Sequence, residues 1–155
     1  MPSTPRFDHE KLEVYQLELQ FIGWVNDLFA ELKSEPRSST KEALNQLDRA
    51  SLSSLLNTAE GNGRRNSQQR ARFFDDARGS AAECAACLDA LVAKKITAPE
   101  RIEKGKQLLV RIVSMLSKLV DRFDQSYSQG GRVRDKIAAY DLNELTANRL
   151  EDEDE

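Results

Sequence analysis

Between Asn57 and Glu83 the chain reads NTAEGNGRRNSQQRARFFDDARGSAAE, and this stretch fixes how the segments around it are joined. Gly61-Asn62-Gly63 offers residues that accept the left-handed backbone conformation closing a helix. Asn66 follows at once, with Gln69 three residues on, the spacing of a capped helix start. A helix end and a helix start this close together leave no room for a long connection. Long helices joined by short loops pack as antiparallel neighbours.

The same punctuation places the other helices. The first runs from about His9 to Lys33 and stops before Pro36, which cannot continue it. The second begins near Ser39, with Glu42 in the capping-box position. The third runs from Asn66 to about Lys95. The fourth starts at Thr97, with Glu100 three residues on and Pro99 in the first turn, where no amide partner is lost. It ends before Gly130-Gly131. No segment alternates with period two, so no sheet is expected. The inward stripes are Leu44, Leu47, Ser51, Ser54, Leu55 and Thr58 on the second helix and Phe73, Ala77, Ser80, Cys84, Cys87, Leu88 and Leu91 on the third. On the fourth they are Ile102, Leu109, Ile112, Leu116, Leu119 and Phe123. The expected fold is all-α, an up-down antiparallel four-helix bundle over residues 1–127. Residues 128–155 form an acidic, partly disordered tail with a weak helical pattern through Ile137, Ala138, Leu142 and Leu145.

A chain of 155 residues is long enough to bury one proper core. No apolar run approaches the 18 residues of a membrane span. The opening MPSTPRFDHEK has no apolar centre, so it does not read as an export signal. Two cysteines and no such signal point to a reducing cytoplasm. The net charge of -3 is unevenly spread: residues 126–155 carry 4 Lys/Arg and 8 Asp/Glu, leaving 19 and 18 for residues 1–125. The acidity belongs to the tail, which ends EDEDE and reads as a solvating end.

The first helix carries more apolar surface than a bundle needs. Leu12, Tyr15, Leu19, Ile22 and Phe29 make one stripe, and Val14, Leu17, Phe21, Trp24, Leu28 and Leu32 a second. At about 100° per residue the two merge into a sector of roughly 240°, interrupted mainly by Glu18. The excess calls for cover, either by the C-terminal tail or by another subunit. An interface anchored by Leu17, Phe21, Trp24 and Leu28 is the sharper expectation.

Two groups of polar residues invite a chemical reading. Arg64, Arg65, Arg70, Arg72 and Arg78 fall within 15 residues, the first two at a helix start where free amides also attract anions. Arg64, Arg65, Arg70 and Arg78 are the candidate nucleic-acid contacts. Asp75 and Asp76 dilute the patch, so a solvated face or intersubunit ion pairs is the competing reading. Asn57, Glu60, Arg72 and Glu83 lie near the inward stripes and suggest a buried polar network that fixes helix register. Acid–base catalysis by these carboxylates would need a histidine, metal or nucleophile that is not found among them. Cys84 and Cys87 form CxxC in mid-helix, where small core thiols are expected and not a redox or zinc site. His9 reads as a surface residue. The glycines are not followed by the lysine–serine pair of a phosphate loop. No cofactor, metal or catalytic residue is implied.

The order of these motifs resembles that of the bacterial four-helix-bundle proteins encoded in intervening sequences of 23S rRNA genes, which are similar in turn to the accessory variability proteins of diversity-generating retroelements. Over about residues 7–125, Phe7 with Leu12-Glu13-Val14-Tyr15-Gln16 looks like the family's opening. Arg49-Ala50 and Ser53 precede Asn57-Thr58-Ala59-Glu60-Gly61, which matches its NxAEG. Gly63-Arg64-Arg65, Arg72-Phe73, Gly79-Ser80 and Glu83 follow in order. Leu55 stands where the family often has proline, Asn66 and Gln69 replace its Ser and Glu cap, and Arg70 replaces an apolar residue. The resemblance implies a helical bundle that forms a homo-oligomer, with a pentameric barrel as candidate form, and a nucleic-acid role. It implies no catalytic residue and does not reach the tail. Two readings follow: an oligomeric adaptor for nucleic acid or a nucleic-acid-handling protein, and a purely structural or protein-interaction bundle. An enzyme is a distant third.

Overall fold

The computed structural model describes residue 4 and residues 6–124, so the proposed boundary at 127 and the acidic tail lie outside the described residues. A short 3-10 turn, Asp8–Lys11, leads into four helices: α1 Glu13–Leu32, α2 Ser38–Gly63, α3 Ser67–Ala93 and α4 Pro99–Phe123. Each packs antiparallel to the next, and α1 closes the ring against both α2 and α4. This is the expected up-down bundle, with no strand among the described residues. α1 is the most loosely held member, since α3 engages both α2 and α4 far more extensively than α1 engages either.

The helix boundaries show which local signals decide. Asn66 caps α3 as expected, its Oδ1 accepting the Gln69 amide at 3.1 Å. Thr97 does not cap α4. Pro99 occupies the first helical position, and its ring drives the preceding Ala98 into extended backbone (φ -78°, ψ 151°), which makes Ala98 the cap residue. α2 starts one residue before Ser39, so that serine lies inside the first turn and Arg37 takes the cap position with no side-chain bond. α1 begins at Glu13 and not His9, because Leu12 is extended between the 3-10 turn and the helix.

The glycines of the α2–α3 junction act differently from expectation. Neither Gly61 nor Gly63 has positive φ, and α2 is closed by extended Arg64 (φ -78°, ψ 137°), whose amide reaches the Gly61 carbonyl at 3.2 Å. Gly61 is instead a close-approach point: a Cβ there would lie 3.0 Å from Phe73 Cβ and 3.1 Å from Phe74 Cδ1. The left-handed closure occurs at the other end of α3. Lys95 has φ 58°, its amide bonds the Val92 carbonyl at 2.9 Å, and the Ile96 amide bonds the Leu91 carbonyl at 3.0 Å. That bond pair is the Schellman closure, built here on lysine.

The core is mainly aliphatic, with Phe21, Trp24 and Phe74 as its buried aromatics. Leu47, Phe74, Leu88, Leu91, Ile112 and Leu116 are fully buried, with Phe74 taking the inward place expected for Phe73. Burial of a Leu or Phe side chain contributes about 1.5–3 kcal/mol, so these six residues from three helices anchor the fold.

Candidate functional site

Arg64, Arg65, Arg70 and Arg72 lie at or near the end of the bundle where α2 passes into α3, Arg78 lies in the middle of α3, and three of the five are already engaged. Arg64 pairs with Glu60 one turn earlier and stacks over the Phe73 ring at 4.9 Å. Arg78 forks onto Asp75 Oδ1 at 3.0 and 2.6 Å. Arg70 is half-buried: its guanidinium lies 4.3 Å over the Phe123 ring, it donates to Asn62 Oδ1 at 3.3 Å, and its Nε is buried without a partner. Asn62 in turn donates to Asp8 Oδ2 at 3.0 Å, which holds the Asp8 carboxyl below the usual carboxylate range. Arg70 thus helps tie the N-terminal segment, α2, α3 and the end of α4 together. Arg65 and Arg72 are exposed and have no polar partner among the described residues.

The expected buried network of Asn57, Glu60, Arg72 and Glu83 is not formed. Arg72 and Glu83 lie on the exposed side of α3, and Glu60 sits in the exposed pair with Arg64. Glu83 accepts from Gln46 Nε2 at 2.5 Å on the surface between α2 and α3. Asn57 folds back on its own helix, donating to the Ser53 carbonyl at 2.9 Å, while Ser53 and Ser80 hydroxyls bridge α2 and α3 at 2.9 Å. A helix buries only one side, and Phe74, Ala77, Ala81, Cys84 and Leu88 take it on α3, which leaves positions 72 and 83 outside.

The buried polar site is elsewhere, at Glu18. It is 2% exposed in the seam between α1 and α2. Ser54 Oγ donates to its Oε2 at 2.6 Å and Thr58 Oγ1 at 3.0 Å, while Oε1 has no partner. Burial pushes this carboxyl up to about 7, against the pull of the two hydroxyl bonds. The signal in the sequence was an acid inside an apolar stripe facing a helix whose inward stripe holds hydroxyls. Cys84, nearby on α3, is buried and its thiol is pushed up to about 12 by burial first, then by Cys87 and Glu83. Cys87 is raised in the same direction by burial. Both are poor nucleophiles at neutral pH. His9 is half-buried between the Phe7 and Tyr15 rings, 5.6 and 4.9 Å away, and not a freely solvated residue.

The two stripes of α1 part company. Leu17, Phe21, Trp24 and Leu28 are all buried within a single chain, so they have little surface to offer a partner. Trp24 packs on Gly105 of α4, with Arg101 5.2 Å over its ring and forked onto Glu31 at 2.6 and 2.8 Å. Trp24 on Gly105, with the Arg101–Glu31 fork beside it, marks the α1–α4 seam. The stripe left outside is the other one: Leu19 is 41% exposed, and Leu12, Tyr15, Ile22 and Phe29 are half-buried. On a helical wheel this stripe continues from Glu18 toward the outer edge of α2. On the outer surface of α2, Leu52 and Leu56 are 50% and 56% exposed.

The fold defined by these seams is that of a helical-bundle protein with an apolar outer face and an arginine-bearing end. Residues 10–118 match the family model of the 23S rRNA-intervening sequence protein, and the chain belongs to that family. No curated protein matches the chain. Among the described residues no helix is long and apolar enough to cross a membrane, and no three His, Cys, Asp or Glu side chains are grouped to hold a metal ion.

Proposed function

We propose that this protein is a non-enzymatic, homo-oligomeric adaptor that works in the cytoplasm, with repeated copies of its arginine-bearing end presented to a nucleic acid or a nucleic-acid-handling protein. The observation that carries the reading is the outer apolar face of α1 and α2, with Leu19, Leu52 and Leu56 about half exposed on a lone chain. Isolated apolar residues on a surface are ordinary, but a half-buried stripe along α1, with two more exposed leucines on the helix beside it, is surface suited to a partner. A second copy of the chain satisfies it, and a pentameric ring is one closed form in which each copy uses the same contact.

Within such an assembly Arg65 and Arg72 are free to meet phosphates directly. Arg64 and Arg78 reach them by exchanging Glu60 and Asp75, both exposed pairs that cost little to break. Arg70 contributes least, because it is committed to Phe123 and Asn62. The contact set on one copy is small, so affinity comes from repetition around the oligomer. The family description supports a ribosomal-RNA context for the ligand.

The competing reading is a purely structural or protein-interaction bundle. It is favoured by one specific observation: Arg64, Arg70 and Arg78 already have partners within the chain. Fluorescence anisotropy with labelled RNA and DNA separates the two. The adaptor gives sequence-tolerant binding that falls steeply as salt rises and strengthens when the acidic tail is removed after Tyr127. No binding by the tail-deleted oligomer at low salt leaves the structural bundle.

A further inference from the structure

Among the described residues Glu18 is the one acid placed in the core, and its surroundings suit only one of its two forms. Both of its donors are neutral hydroxyls and both point at Oε2. Oε1 is buried and receives nothing. Among the described residues no cation pairs with it. From α2, buried Ser51, one turn before Ser54, donates to its own helix at the Asp48 carbonyl, 2.8 Å away, and buried Thr40 lies near the other end of the helix. From α3 the nearest titratable group is the Cys84 thiol, which burial keeps protonated. From α4 the buried face is apolar throughout, through Leu108, Leu109, Ile112, Leu116 and Val120. On α1 itself, Glu13 is turned out to Arg111 at 3.2 Å. An ionised carboxylate in such a seam lacks both a counter-charge and enough donors, and its desolvation is costly. A neutral carboxyl is tolerated, because the two hydroxyl bonds meet most of what it needs.

We infer that Glu18 is a proton-controlled latch: its neutral carboxyl seats α1 against α2, and loss of that proton loosens α1 from the other three helices. The placement favours a local response. α1 is the helix least engaged by its neighbours, so an unfavourable charge beneath it is relieved by α1 lifting and not by the whole bundle opening. The half-exposed apolar stripe rides on the same helix, so any surface it presents is under the same control.

The direction follows from linkage. The folded carboxyl holds its proton to about 7, against 4.5 for the ordinary side chain. The seated form therefore binds more protons than the released form between those values, and its advantage falls as pH rises through that window.

Hydrogen exchange on the full chain, corrected for the intrinsic pH dependence of the amides, reads this directly. Protection of the α1 amides falls by up to about tenfold per pH unit from 4.5 to about 7, relative to α3, and then levels off. Glu18→Gln, which cannot ionise, shows no such fall. Equal profiles in the two proteins, or α1 protection that does not move relative to α3, overturn the latch. Carboxyl-carbon NMR on the wild-type chain gives a second decision that does not depend on the variant folding. One glutamate titrating with a midpoint near 7 supports the proposal. If every glutamate titrates below about 5.5, inside the ordinary carboxylate range, it is wrong.

Discussion

Gly105 and Trp24 meet with no space between them: a Cβ on Gly105 would lie 2.5 Å from both Cη2 and Cζ3 of the indole ring. The ring has little freedom to retreat, with Phe21 stacked at 5.8 Å and the Arg101 guanidinium 5.2 Å above it. Gly105→Ala therefore forces α1 and α4 apart. Overpacking of this kind costs about 1–3 kcal/mol, and the better helix propensity of alanine returns at most about 1 kcal/mol. The expected net loss is about 1–2 kcal/mol, a fall of several degrees in melting temperature. Trp24 is the only tryptophan in the chain, so its fluorescence reports the same seam. A variant as stable as wild type would show that the seam is looser than described.

Lys95 closes α3 in a conformation that glycine adopts without strain, at φ 58°. A left-handed residue with a side chain carries about 1–2 kcal/mol of steric cost. Lys95→Gly removes that cost but adds freedom to the unfolded chain. A net gain of about 0.5–1 kcal/mol is expected in chemical denaturation. A loss of stability would mean that the Lys95 side chain contributes more than its backbone strain subtracts.

Two glutamates of α1 act oppositely along the pH scale. The Arg101 fork holds the Glu31 carboxyl below its usual range, so its contribution is present above pH 4.5 and is lost as pH falls through the lowered value. Glu18 weakens folding as pH rises toward 7 instead. Glu31→Gln should be less stable than wild type near neutral pH, and the two melting curves should converge in acid. A difference that stays constant down to about pH 3 would remove Glu31 from the acid response.

Removal of everything after Tyr127 should leave the bundle intact. The last anchors among the described residues are Phe123, whose ring meets Phe74 at 6.0 Å and carries Arg70, and the Asp124 amide on the Val120 carbonyl. All precede the cut. Unchanged helicity and melting temperature are expected, and an insoluble truncated chain would show that the tail covers part of the fold.

Element order and topology were legible because their signals are local. Asn66 and Gln69 mark a start by side-chain chemistry, and Pro99 marks one by ring geometry. The boundary errors came from signals that compete within a turn: Thr97 lost to the constraint Pro99 places on Ala98. The site was less legible because it depends on which side of each helix faces inward. α1 has two apolar stripes, and a wheel alone does not rank them. The stripe through Leu17, Phe21, Trp24 and Leu28 was assigned outward, yet the aromatic Trp24 needs Gly105, more than 80 residues away in sequence, to be accommodated. Glu18 read as an interruption for the same reason. Its partners, Ser54 and Thr58, become partners only once α1 and α2 are set in register. The arginines were visible as a cluster, but not their engagement by Glu60, Phe123 and Asp75.

Assembly through the outer face of α1 and α2 is the central claim, and light scattering on the full chain at micromolar concentration tests it most directly. One chain weighs 17.5 kDa. The expected mass is two or more whole multiples of this value. Leu19→Glu, a change at a half-exposed position outside the core, is expected to lower the mass toward that of one chain without loss of helix. A wild-type mass of 17.5 kDa would contradict the claim.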